Sequence, residues 1–183
     1  MKKATVIVLA LVFAVSGVFA QDKFFTKTGK ISFYSKATIE NIEAHNRSVT
    51  AVLDSKTGNI QFSVLIKGFE FEKALMQQHF NENYLESSKY PKAEFKGQIV
   101  NNADVNYAKD GAYNVKVKGQ LTIHGETKDV ETNGTITVKG DKLQAESEFT
   151  VQLADYKIKN DKLNNISNTI RITVNCLLEP LKP

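Results

Sequence analysis

Several absences narrow what this chain can be before any motif is read. It has a single cysteine, Cys176, so no intramolecular disulfide can form and stability must come from packing. Beyond residue 20, no apolar run approaches the roughly 18 to 20 residues that a membrane-spanning helix needs. No Gly-rich phosphate loop occurs, and His45, His79 and His124 fall at no metal-ligand spacing, so neither nucleotide chemistry nor a metal site is expected. Lys and Arg are scattered rather than striped, and the formal net charge of +4 is small, so no nucleic-acid partner is expected.

The first twenty residues have their own character. Lys2 and Lys3 precede an apolar run from Ala4 to Val15, and Val18-Phe19-Ala20 stands before Gln21-Asp22. This is the pattern of a secretory signal peptide with a small-residue cleavage site near Ala20. Its removal leaves 163 of the 183 residues and lowers the net charge to +2. The expected organisation is a signal peptide, 1–20, and one domain, 21–183, long enough for a sizeable core. No cysteine follows the cleavage site closely enough to accept a lipid anchor, so the expected location is the periplasm or the medium.

The dominant signal in the rest is a two-residue period. In "YNVKVKGQLTIHG", Val115, Val117, Leu121 and Ile123 share one face, while Asn114, Lys116, Lys118, Gln120 and Thr122 share the other. The same alternation marks Ile60 to Ile66, Ile136 and Val138, Leu143 to Leu153, and Ile170 to Cys176. Thr57-Gly58-Asn59, Asp110-Gly111, His124-Gly125-Glu126 and Gly140-Asp141 supply turn residues between them. About eight antiparallel strands follow, near 28–35, 39–53, 59–67, 93–100, 112–124, 128–139, 142–153 and 168–178. Strands this long with open edges invite aggregation, and closure into a barrel removes the edges. The fold class predicted is all-β: an eight-stranded antiparallel up-and-down barrel.

One segment breaks the period. In "FEFEKALMQQHF", residues 69–80, Phe71, Leu75 and His79 recur at four-residue steps, with Glu70 and Glu72 where a helix N-terminus favours negative charge. A short helix capping one end of the barrel is predicted, followed by the aromatic connection "FNENYLESSKYPKAEFKGQI", residues 80–99. It is either a lid on a ligand cavity or a plug that completes the core.

Catalytic signals are sparse. Cys176 lies on the inward face with Ile170, Ile172 and Val174 and reads as a small buried apolar residue rather than a nucleophile. His124 is placed on the wet face of a hairpin, and Ser87-Ser88-Lys89 reads as a polar turn. No catalytic residue is assigned, and the protein is expected not to be an enzyme.

Two motifs carry a resemblance. "YLESSKYPKAEFKGQI", 84–99, and "VKGQLTIHGETKDVE", 117–131, are similar to the two sequence marks of the YceI-like family, in the same order, across roughly 24–178. The resemblance implies a lipocalin-like barrel whose long apolar lumen holds a polyisoprenoid, quinone-like or fatty-acyl amphiphile, with that lipid as ligand and no other cofactor. The predicted lining is Phe71, Leu75, Phe80, Tyr84, Leu85, Phe95, Phe149 and Leu153, by inward alternation or lid position. The chain departs from the family pattern at "FYSKATIENIEAHNRS", where His45 and Asn46 are candidate headgroup contacts and the mixed faces point to a bulge or a rim. The competing reading is a closed barrel acting in envelope stress or interaction through a protein partner. A homodimer is compatible with either.

Overall fold

The computed structural model describes residues 22–36, 41–159 and 167–181. The signal-peptide segment lies outside them, as does the start of the strand predicted at 39. Alternation becomes strand wherever it was legible: β1 (Lys23–Ser35), β2 (Ile42–Asp54), β3 (Asn59–Leu65), β5 (Lys92–Ile99), β6 (Gly111–Ile123), β7 (Glu126–Lys139), β8 (Lys142–Gln152) and β9 (Thr169–Pro180). Between β3 and β5 lie a two-residue strand, β4 (Glu70–Phe71), and a short helix, α1 (Ala74–His79). Every pairing is antiparallel, and the ring closes because β1 joins both β9 and β2. The result is a closed eight-stranded barrel with β4 as a flap on β2.

Most apolar residues of the strands face inward as their alternation requires, while Leu65 on β3 and Leu177 on β9 are exposed. Ile60 and Val64 on β3, Val115 and Leu121 on β6, and Leu143, Ala145 and Val151 on β8 are all buried. On β2 the parity switches: Ala44 and Asn46 are buried, and then Val49, Ala51 and Leu53. The β1 to β2 register slips between Gly29–Val49 and Ile31–Asn46, so the strand is bulged there. This explains why neither face of 44–51 reads as cleanly apolar.

One end of the barrel is shut. Leu53, Ile99, Leu143 and Leu178 are almost fully buried there. The connection from β5 to β6 folds across it, burying Val105 and stacking Tyr107 on Phe24 at 6.5 Å. Tyr107 donates its hydroxyl to Asn102 Oδ1 at 2.7 Å, and burial pushes the phenol pKa up to about 12.

The middle of the barrel is hollowed by glycine. Gly97 and Gly119 are cross-strand partners, with the Phe95 ring lying over both. A Cβ on Gly97 would meet Lys118 O and Phe95 Cζ at 2.5 Å. Absence of side chains here lets an aromatic ring lie flat on the wall.

Two outcomes are expected. Gly119→Val should cost about 1 to 3 kcal/mol, read as a shift of the urea midpoint, because the Phe95 ring and the facing backbone must give way. Cys176 is fully buried and donates to Lys30 O, and burial raises its thiol pKa to about 11. It should therefore resist a disulfide reagent at pH 8 in the native protein and react promptly in denaturant.

Candidate functional site

The other end of the barrel is roofed rather than filled. After β3 the chain makes a 3-10 turn at Ile66–Gly68, pairs Glu70 and Phe71 with His45 and Ala44, and enters α1. The predicted helix start is corrected here: Glu70 and Phe71 are strand, and Glu70 forms an ion pair with Arg47 instead of facing a helix dipole. Their pairing with β2 outweighs the helical spacing. After α1 the chain widens into a π-turn, Phe80–Tyr84, closed by Leu85 N–H donating to Phe80 O at 2.9 Å. The wider turn brings Phe80, Tyr84 and Leu85 to the lumen side.

Four phenylalanines bind this roof to the wall. Phe33 on β1 lies 5.3 Å from Phe69, 5.8 Å from Phe71 and 5.3 Å from Phe80, measured between ring centroids. Phe80 in turn lies 5.6 Å from Phe69 and 5.0 Å from Phe71. Most of these pairs are edge-to-face or tilted, the arrangement that ring quadrupoles favour. By contrast, no residue of α1 is buried, and Leu75 is 62% exposed. The roof is thus held by its flanks.

Beneath it is a cavity of about 480 Å³, a size typical of small-molecule sites. Its lining runs from Leu75 and Phe71 at the mouth, past Phe33, Phe62 and Phe95, to Ile99 and Ile136 deep inside. All eight residues of the predicted lining face it: Phe71, Leu75, Phe80, Tyr84, Leu85, Phe95, Phe149 and Leu153. Sequence reasoning missed Phe33 and Phe69, which anchor the roof. Their alternation with Ile31 and proximity to Phe71 were the available signals. The few polar groups include Ser35, 2% exposed, whose hydroxyl has no hydrogen-bond partner among the described residues, and Lys73 and His79 at the mouth.

Other residues singled out from the sequence lie elsewhere. Asn46 is fully buried, donating to Leu65 O at 2.9 Å and accepting from Ser48 N–H, so it fastens the bulge. His45 is exposed beside Glu43. Neither lines the cavity. Tyr90 also turns away from the lumen: its ring meets His124 edge-on at 4.5 Å. His124 is therefore not on a wet face. It is half-buried, with Nδ1 donating to Tyr156 O at 3.1 Å. Tyr156 and Ile158 tuck back onto the barrel, both buried, in a strap from Leu153 to Ile158, and burial with the nearby Asp155 charge raises the Tyr156 phenol to about 12. Among the described residues no three His, Cys, Asp or Glu side chains gather as metal ligands, and no helix is long and apolar enough to cross a membrane.

The YceI-like domain family matches residues 13–178. Among solved structures, the barrel is similar to a polyisoprenoid binding domain from Saccharophagus degradans implicated in plant cell wall breakdown, at 15% identity and a TM-score of 0.76, over 88% of this chain and 99% of that one. It is similar to BcnA of Burkholderia cenocepacia at 18% identity and a TM-score of 0.67, over 82% and 95% of the two chains. A YCEI protein of Campylobacter jejuni aligns over the whole of both chains at 14% identity and a TM-score of 0.54. No curated protein matches the chain.

Phe33→Ala should lower stability by about 2 kcal/mol, since the half-buried ring contacts three others. Hydrogen exchange should quicken in 69–85 and stay unchanged at the closed end near Leu143 and Leu178.

Proposed function

This chain belongs to the YceI-like family, and on that footing we propose that it is an exported, non-catalytic lipid-binding protein that sequesters or carries a long-chain amphiphile in its barrel. The observation that carries this reading is the cavity of about 480 Å³ walled almost entirely by apolar side chains. A packed barrel acting only through its outer face would have filled that space. The ligand class, a polyisoprenoid, quinone-like or fatty-acyl chain, is supported by the apolar lining of the lumen and by the polyisoprenoid-binding character of the Saccharophagus domain. Export is supported by the basic start, apolar run and small-residue end of Met1 to Ala20.

The energetics suit a chain without strong polar contacts. Each methylene moved out of water contributes roughly 0.8 kcal/mol. A dozen buried carbons therefore offer on the order of 10 kcal/mol, against which association costs of comparable size are set. Micromolar binding needs no buried charge. Selectivity rests on the length and shape of the chain.

The test is native mass spectrometry of residues 21–183 purified gently from an export route, with mass analysis of a solvent extract. A stoichiometric adduct in the range of a long-chain amphiphile is expected, together with a rise in melting temperature on adding it back. Ala145→Trp, which projects an indole into the lumen from a buried position, should abolish the adduct while the barrel stays folded. A bare mass that isoprenoids, quinones and fatty acids all leave unchanged would sink the reading.

A further inference from the structure

The barrel wall is incomplete at one place. Strands β7 and β8 pair from Lys139–Lys142 only as far as Gly134–Ser147. Beyond that fork Glu126–Asn133 keeps β6 as its partner and Glu148–Gln152 keeps β9, but the two edges do not pair with each other. Ser147 Oγ donates to Asn133 O at 2.8 Å, bridging the fork. Further up, unpaired backbone groups on both edges need solvent, so a wet seam runs along the wall. The top of this seam is crossed by the strap, Leu153–Ile158, which is tied to β7 through Lys157 Nζ and Glu126 Oε1 at 2.7 Å.

On the inner side the same edges belong to the cavity. Val130 and Thr132 on β7, and Phe149 and Val151 on β8, all line it. The seam therefore leads from water directly to apolar lumen. The next inward position along β7 after Thr132 and Val130 is Lys128. Its cross-strand partner is Leu121, which is buried and lines the cavity, so the two share the lumen face. Lys128 is nevertheless exposed: it stands on the edge of β7 that β8 leaves unpaired, close to the hairpin turn at His124-Gly125, just outside the residues that line the cavity.

The acids nearby are already engaged. Glu126 is held by Lys157, Glu131 by Lys118 at 2.9 Å, and Glu148 lies 3.8 Å from Arg171. Asp129 accepts a hydrogen bond from Gln120. Among the described residues no carboxylate comes within ion-pair distance of Lys128; its charge acts at longer range on Glu126, whose carboxyl pKa is lowered chiefly by the hydrogen bond from Lys157. This leaves a cation on a flexible stem, on the inner face, beside an apolar chamber.

We propose that the seam between β7 and β8 is a lateral portal to the lumen, in which Lys128 holds the anionic head, a carboxylate or phosphate, of the bound amphiphile. This rests on the lipid-binding reading and adds to it where the polar end lies. The hydrocarbon occupies the cavity, and the head stays in the wet seam below the strap, so no charge is buried. Lys73, at the roofed mouth, is the competing cation.

The experiment compares dodecanoate, dodecyl phosphate and dodecanol, three ligands with one chain length, by displacement of a fluorescent apolar probe from residues 21–183 at low ionic strength. The anionic pair should bind roughly fivefold tighter than the alcohol, the scale of a solvent-exposed ion pair. Lys128→Gln should erase that preference and Lys128→Glu reverse it, with dodecanol affinity unchanged in both. Lys96→Glu, on the outer face of β5, should alter nothing. A preference that survives Lys128→Glu, or one lost on Lys73→Glu instead, would overturn the portal while leaving the carrier reading intact. Displacement of the probe by inorganic phosphate alone would point to a free-anion site and overturn the amphiphile assignment. Failure of all three chains to bind would remove the lipid-binding reading, and this one with it.

Discussion

Closure of the sheet on itself, through β1 bonded to both β2 and β9, is the constraint on which everything else depends. A ring of strands has one inside, and alternation then assigns each residue to lumen or solvent without further choice. The bulge on β2 shows how tightly this holds. Without the slip near Arg47, Ala44 and Asn46 would share a face with Ser48 and Thr50, and Val49, Ala51 and Leu53 would be turned out to water. Asn46 secures the slip by spending its amide on Leu65 O and on Ser48, which is why a fully buried polar residue is tolerated there.

A closed ring of eight strands encloses more space than a residue or two can fill, and the two ends resolve this differently. At the shut end, Leu53, Ile99, Leu143, Leu178 and the Tyr107–Phe24 stack fill the section. In the middle of the barrel, Gly97, Gly119 and Gly134 take inward positions that a larger residue would have filled. An apolar wall facing empty space forfeits dispersion contacts on one side. The lining stays ready to gain them from a guest of matching shape, and the four-phenylalanine cluster keeps the roof in place meanwhile.

What could be read from the sequence follows from this geometry. Alternation revealed the inward set on β3, β6, β8 and β9, because one face is apolar along the whole strand. The eight lining residues came from that parity together with the aromatic connection after the helix. Illegible were features decided by partners distant in sequence. Glu70 and Phe71 carry helical spacing but pair with β2. His124 sits in a hairpin turn, and only the fold brings Tyr90 and Tyr156 to it. The seam is of the same kind: residues 126–133 and 148–152 are good strand sequence, and nothing local says that they part.

The backbone reports the same boundary between wall and roof. Three non-glycine residues have positive φ, Glu86 at 43°, His124 at 52° and Lys157 at 52°, among the described residues. They belong to three different connections, yet they meet. Glu86 Oε1 lies 3.6 Å from His124 Nε2, His124 Nδ1 donates to Tyr156 O, and Lys157 follows Tyr156 in the strap. Because a carbonyl can only accept, Nδ1 carries the proton, and Nε2 is left facing a carboxylate without a hydrogen bond. Left-handed backbone in side-chain-bearing residues is unfavourable and persists only where the surroundings determine it. Here the surroundings are local turns: Glu86 O accepts from Lys89 N–H and Tyr90 N–H, and Lys157 closes the 3-10 turn with its N–H on Ala154 O. The connection that follows the roof and the strap that crosses the seam therefore meet at one side chain, with the imidazole packed between the Tyr90 ring and the Tyr156 carbonyl.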